Sequence, residues 1–414
     1  MKDRDLAGLW ARHSAEWRNG AQVTSQWREA ADIDPRLLEW RASGGWWDLI
    51  AELELTLLVT REYEHLVMAA SAPGGRPRLS FVPLPHPSGL IVDRKNRRVY
   101  VASTRNPNQV FTFKPASGSL KRLDVKTKGP PGSPLVVVST NSYAGCLYVH
   151  DLAIIGGELF ANAVGHNAVV RLGAEGCFDR VWWPRCVERE GEPVFGRNHI
   201  QLNSIAAGET VVDSFFSASS AGIGRLRPGH LNYPVDGRGV IFSGRTREPI
   251  CTGLTRPHSA RLRETGVSAA GGRAKHGAKT RQVWVANSGY GELGYVNQGR
   301  LDVVARLPGW TRGLCIVGGV AFVATSRVIP KYARYAPGLD SSTSRCAVHA
   351  VSLATGRILG SLDWPHGNQV FALDWIGTAD SHGFFFGVDA RKQNNDVAFF
   401  YTHLTGCQSR SGGQ

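Results

Sequence analysis

What most constrains this chain is a phrase that recurs about every 55 residues: a polar residue opening an apolar run, a turn, then a second short apolar run. The first parts read His86-Pro-Ser-Gly-Leu, His150-Asp-Leu-Ala-Ile, Leu202-Asn-Ser-Ile-Ala, His258-Ser-Ala-Arg-Leu, Arg312-Gly-Leu-Cys-Ile and Gln369-Val-Phe-Ala-Leu. The second parts read Val99-Tyr-Val-Ala-Ser, Leu159-Phe-Ala-Asn-Ala, Val211-Val-Asp-Ser-Phe, Val283-Trp-Val-Ala-Asn, Ala321-Phe-Val-Ala-Thr and Phe384-Phe-Phe-Gly-Val. Short β-type runs punctuated by Gly, Asn and Asp at so long a period predict an all-β chain folded as a β-propeller. In such a fold the innermost strands begin around a central axis. Here several of those beginnings are histidine.

The ends of the repeat suggest how the ring closes. Leu57-Leu-Val-Thr, His65-Leu-Val-Met-Ala-Ala and Leu79-Ser-Phe-Val-Pro resemble the last three strands of a blade lacking its first. Asn368-Gln-Val-Phe-Ala-Leu-Asp-Trp, near the other end, reads as that missing strand. Joining them gives six blades and removes an open sheet edge. Phe384-Phe-Phe-Gly and Val397-Ala-Phe-Phe-Tyr add two more candidate strands, which leaves seven blades as the alternative. The propeller is expected over 55–406, after a helical amino-terminal extension at 1–54 and before a frayed tail at 407–414.

The extension changes period. Leu6, Leu9, Trp10, His13 and Trp17 recur at helical spacing, Pro35-Arg-Leu-Leu-Glu-Trp starts a second helix, and Trp46-Trp-Asp-Leu-Ile-Ala-Glu-Leu reads as a third. Its tryptophans are expected to dock on the propeller, a protein-binding surface being the other reading. Residues 327–345, rich in Arg and Tyr, form a long connection of the kind that covers sites.

Composition removes several functions. No apolar run approaches the roughly 18 residues that cross a bilayer, and Met1-Lys-Asp-Arg-Asp is no secretory start, so a cytoplasmic location without a membrane partner is expected. The seven cysteines lack a CxxC pair and are odd in number, which suits reduced, packed thiols. A net charge of +14 raises nucleic acid as a partner. The arginines, however, are spread along the chain. The one dense basic group, Arg273, Lys275, Lys279 and Arg281, sits in a Gly/Ala-rich hairpin, and no nucleic-acid-binding signature accompanies it.

Pro257-His-Ser-Ala-Arg-Leu, Asn287-Ser-Gly-Tyr-Gly-Glu-Leu, Leu307-Pro-Gly-Trp-Thr-Arg-Gly-Leu and Ala321-Phe-Val-Ala-Thr-Ser-Arg-Val follow a His-Asp-Leu-Ala phrase at 150–153 and Leu202-Asn203. In that order they resemble a bacterial conserved-hypothetical β-propeller family, a domain of unknown function, over roughly residues 55–375. The resemblance implies the fold and no activity. The longer basic hairpin at 264–281 and the additional carboxy-terminal strands depart from the family's pattern.

If inner-strand starts converge, His86, His150 and His258 meet at one end of the axis. Three neutral imidazoles can bind a divalent transition metal and leave a position open for water or substrate. Asp151, Arg312 and Asn203 are then the candidate catalytic groups, Asp151 as the orienting carboxylate. Arg105, His166, Asn287, Arg327, Asn368 and Gln369 form the candidate substrate ring. A metal-free site for a small anionic molecule uses the same arginines. No Ser-His-Asp arrangement, nucleophile elbow, P-loop or Rossmann fingerprint is present. The functional expectation is a small-molecule-binding protein or enzyme acting at the axis, the alternative a non-catalytic protein-interaction scaffold.

Overall fold

In the computed structural model, residues 27–104, 108–116, 118–121, 132–143, 147–195, 198–265, 280–388 and 400–403 are described. They form a six-bladed propeller of antiparallel sheets. Blade two runs outward as Pro87–Asp93, Arg98–Ser103, Asn108–Pro115 and Leu135–Tyr143. Blade three comprises Val149–Ile155, Glu158–Ala163, Ala168–Leu172 and Phe178–Trp182, and blade four Leu202–Ala206, Phe215–Ala218, Gly239–Ser243 and Pro249–Leu254. Blade five comprises Pro257–Thr265, Thr280–Asn287, Glu292–Asn297 and Arg300–Arg306. Blade six has Trp310–Val317, Val320–Ser326, Ala347–Ser352 and Ile358–Asp363, with Arg41–Gly44 added at its outer edge.

Blade one closes the ring. Its inner strand, Ala372–Gly377, pairs with Leu55–Arg61 from the other end of the chain, from Leu55 opposite Gly377 to Thr60 opposite Ala372. Leu66–Ser71 and Arg78–Pro83 follow outward, and Phe386–Gly387 adds a short edge. The six-blade reading therefore holds. Two readings of individual runs do not. Phe384-Phe-Phe-Gly is no second inner-blade strand; its Phe386–Gly387 lies at the outer edge of blade one. Among the described residues Phe400–His403 pairs with Gly118–Lys121 and joins no blade. Val211–Ser214 is a turn, and the second strand of blade four starts at Phe215.

The burial pattern follows from stacking blade on blade. A strand near the axis is covered on both faces, so Leu55–Arg61 and Leu202–Ala206 are buried throughout, their polar residues included. Arg300–Arg306, at an outer edge, mixes exposed and covered positions. A separate apolar cluster fills each of the six blade interfaces. The cluster between blades one and six takes in the extension: the helix Trp46–Glu52 lays Trp46, fully buried, edge-on to Phe322 at 5.8 Å between ring centroids. The second expected helix is a single 3-10 turn, Pro35–Leu38, capped by Asp34. The first expected helix falls outside the described residues, as do most of the basic hairpin and the tail. The described cysteines are free, and no helix among the described residues is long and apolar enough to cross a membrane.

Near the axis the blades are tied by polar groups. Asp151 accepts from the Ile205 backbone N–H (3.0 Å) and from both terminal nitrogens of Arg261 (2.7 and 3.2 Å), so one carboxylate of blade three holds blades four and five. Arg94 and the Val92 N–H bind Asp374 (2.5 and 2.7 Å) across the blade one–two interface. Gly89 lets the inner strands of blades two and three approach, since a Cβ there would lie 2.8 Å from the Asp151 Cα. Removing the Asp151 carboxylate leaves Arg261 with a mostly buried, uncompensated charge. Asp151→Ala should therefore cost about 3–5 kcal/mol in urea unfolding; a loss below about 1 kcal/mol would show that the tie is dispensable.

Candidate functional site

The inner strands of blades two to six begin with the same geometry. A residue at or next to the strand start pairs with one at or next to the end of the second strand: Pro87 with Ser103, Val149 with Ala163, Leu202 with Ala218, Pro257 with Asn287 and Thr311 with Thr325. A bulge follows within the next few residues of each. The preceding residue is His86, Tyr148, Gln201 or Arg256 in blades two to five, with φ of 44°, 49°, 50° and 55°. A non-glycine residue in this left-handed region costs of order 1 kcal/mol. Its recurrence at one place in four blades marks that place as built for display.

This register sorts the candidates into two rings. His86, Tyr148, Gln201, Arg256, Trp310 and Gln369 form the outer one; Ser88, His150, Asn203, His258, Arg312 and Phe371 form the one below. His86 is thus not the counterpart of His150 and His258. It stands two residues earlier, and Ser88 occupies the matching position. A slip of two keeps a side chain on its face of the strand but moves it about 6.6 Å along the axis. His86 instead lies against His65, with ring centroids 4.4 Å apart, its Nδ1 3.9 Å from Glu62 and its Nε2 4.0 Å from Glu29. Among the described residues His86, His150 and His258 do not bring three ligand atoms together; the set that does is Glu29, His65 and His86.

His150, His258 and Arg312 do meet, in a cavity of about 330 Å³ at the axis. Its wall also takes Tyr148, Gln201, Arg256, Trp310, Gln369 and Phe371 from the rings, and Glu62 and Tyr63 from blade one. Arg312 is 9% exposed, its Cζ 3.3 Å from the centroid of the Phe371 ring. Burial pushes its pKa down to about 10, and Glu62 and Tyr63 oppose that shift. Its Nη2, with Gln369 Oε1 and Thr104 Oγ1, is buried without a hydrogen-bond partner among the described residues. Burial first, and Arg312 second, hold His150 down to about 3 and His258 well below its usual value. Both imidazoles are neutral at pH 7.

The long connection at 327–345 lies over this cavity. Val328, Ile329, Tyr332 and Tyr335 line it, the last two from the 3-10 turn Pro330–Tyr335. Tyr332 hydroxyl meets Tyr63 hydroxyl at 2.7 Å. Arg256, 3% exposed, is the clamp beneath: it donates to Gln201 Oε1 and the Pro228 carbonyl, with its Cζ 4.2 Å from the Tyr335 ring centroid. Arg327 lies at the exposed edge and donates to the Pro365 carbonyl. Asn368 and Gln369 also line the cavity, and their backbone N–H groups donate to Glu64 (2.6 and 3.2 Å).

Other candidates have structural duties away from the cavity. Asp151 is occupied by Arg261 and Ile205, and Asn203 donates to Ser219 Oγ (3.0 Å) and the Pro257 carbonyl (2.9 Å). Asn287 accepts from the Thr255 N–H (2.7 Å) and donates to Glu292 (2.8 Å). His166 is buried in blade three, 5.8 Å from the Phe178 ring centroid. Arg105 lies outside the described residues. Sequence reasoning missed Tyr148, Gln201 and Arg256, each one or two residues before a chosen position, and Glu62-Tyr63, hidden in a turn of the closing blade.

Neutral buried histidines make stability depend on pH. His258 and His349, the latter pushed down to about 4 by burial, take no proton in the folded chain near pH 5–6.5, whereas the unfolded chain does. Their stabilising contribution is full above about pH 6.5 and is lost as pH falls, by about 1.4 kcal/mol per pH unit per histidine. Urea midpoints between pH 7 and 5 should fall accordingly, and His349→Gln should reduce the slope. A flat wild-type profile would mean that these rings gain protons freely when folded.

Solved structures that resemble the chain include a nidogen/laminin complex (10% identity, 79% of this chain and 100% of that one, TM-score 0.49). A protein of unknown function from Bacteroides caccae (8%, 78% and 99%, 0.46) is also similar. So is a putative 6-phosphogluconolactonase from Bacteroides fragilis (13%, 79% and 99%, 0.39). At such identities and scores none of them bears on activity. No curated protein matches the sequence. The family model described as "Domain of unknown function (DUF4915)" matches residues 44–382, from the edge strand of blade six to just beyond the closing strand, and the chain belongs to that family.

Proposed function

We propose that the axial cavity binds a small anionic molecule. The observation that carries this reading is Arg312: a guanidinium 9% exposed, facing the cavity wall with an unpartnered Nη2. An unsatisfied buried donor costs about 1–3 kcal/mol, and more when charged. Such a group persists where a ligand completes it. Arg256, Arg312 and Arg327 face one carboxylate, Glu62, so the lining carries excess positive charge. The aromatic rings of Tyr63, Trp310, Tyr332 and Phe371 give it apolar walls suited to a ligand with a flat or cyclic body.

The metal version of the site has less support. His150 and His258 supply two imidazoles, the matching position in blade two is Ser88, and Arg312 sets a permanent cation beside both rings. A cation disfavours a dication for the same reason that it attracts an anion.

Acetate, benzoate, phosphate and sulfate, added in turn, should raise the melting temperature through binding to the folded state, at least one of them measurably at millimolar concentration. Arg312→Gln should weaken the best of these at least tenfold, the worth of one charge-assisted hydrogen bond of about 1.5–3 kcal/mol. Without ligand the same variant should melt close to the parent, because it removes a buried nitrogen without a hydrogen-bond partner together with its charge. Equal binding by parent and variant would sink the reading.

A further inference from the structure

The hydrogen bonds around His258 settle which of its nitrogens carries the proton. Nδ1 lies 2.8 Å from the Arg256 carbonyl oxygen, which can only accept, so Nδ1 must donate. Ser288 Oγ, 3.0 Å from the same nitrogen, sends its own proton to the Thr311 carbonyl at 2.6 Å and is left as a second acceptor. A neutral imidazole bound in this way has its lone pair on Nε2. The Nδ1 edge is committed to the protein, and the ring lines the cavity with Trp310 beside it at 6.0 Å between centroids. The edge left for a ligand is a hydrogen-bond acceptor. Burial and the neighbouring Arg312 keep the ring from gaining a proton and turning into a donor.

The cavity therefore asks two things of its occupant: negative charge for Arg312 and a hydrogen to give to His258. We propose that the ligand is a protic cyclic acid, a small ring-bearing molecule with a carboxylate for Arg312 and a hydroxyl that donates to His258 Nε2. This rests on the anionic-ligand reading and narrows it. Selectivity follows from desolvation. A ligand without the hydroxyl strips water from Nε2 and returns nothing, whereas a site built to pair a hydroxyl discriminates strongly against an analogue lacking it. The aromatic walls hold the ring between the two polar contacts and set their separation.

Titration calorimetry with benzoate and the three hydroxybenzoate isomers tests the assignment. One isomer should bind at least tenfold tighter than benzoate. His258→Asn, whose amide N–H can replace Nδ1–H toward the Arg256 carbonyl but offers no acceptor where Nε2 was, should erase that preference, so that the favoured isomer binds no more than about threefold tighter than benzoate to the variant. The ¹⁵N spectrum of the His258 ring gives a readout that needs no ligand and should show the proton on Nδ1 at pH 7. A proton on Nε2, or equal affinity for benzoate and all three isomers, overturns the inference while leaving the anionic site standing. If neither the benzoates nor acetate, phosphate or sulfate bind, the anionic reading fails as well.

Discussion

Everything in this molecule depends on the pairing of Ala372–Gly377 with Leu55–Arg61. A propeller left open would expose two sheet edges and an unfilled blade interface. The closure is reinforced beyond its backbone ladder. Thr60 Oγ1 accepts from the Ala372 N–H (2.9 Å), Glu64 holds the N–H groups of Asn368 and Gln369, and Arg61, wholly buried, donates to the Leu37 carbonyl (2.6 Å) of the extension. The same closure completes the site. Glu62, Tyr63, Gln369 and Phe371 come from opposite ends of the chain and share one wall of the cavity only once the ring is shut.

The axis is polar in two layers with different purposes. Lower down, Asp151, Asp374, Ser204 and Ser259 satisfy backbone N–H groups of the neighbouring blade or bind its arginine. These are ties between blades, each fully engaged. In the upper layer, left-handed backbone at the strand starts, an unpartnered guanidinium and two unprotonated histidines accumulate. Each is a cost to the folded state, and Tyr148, Gln201, Arg256, Arg312, His150 and His258 line one cavity.

Legibility in the sequence followed from covalent periodicity. Each blade repeats the same strand–turn–strand chemistry, so the repeat, the closing strand and the convergence of His150, His258 and Arg312 could be read along the chain. Blade count was harder. Phe384-Phe-Phe-Gly has the composition of a buried strand, yet it serves as an edge strip whose place depends on what blade one leaves uncovered. His86 failed for a sharper reason. Period-two alternation keeps residues i and i+2 on one face, so a histidine two positions early looks equivalent until hydrogen-bond register assigns it to the ring above.

By itself, then, the sequence determined the fold and the kinds of side chain brought to the axis, because apolar periodicity and turn residues act locally and repeat. Only the tertiary structure decided which of those side chains share a cavity. Bulges set the register of the inner strands of blades two to six, and the closing blade imports Glu62 and Tyr63 from a distant segment. The connection at 327–345 folds Tyr332 and Tyr335 over the top. Hydrogen bonds from Nδ1 to a carbonyl and a serine oxygen fix the His258 proton, and burial beside Arg312 keeps the ring neutral. The serine and the burial come from packed neighbours far apart in the chain, and no local pattern encodes them.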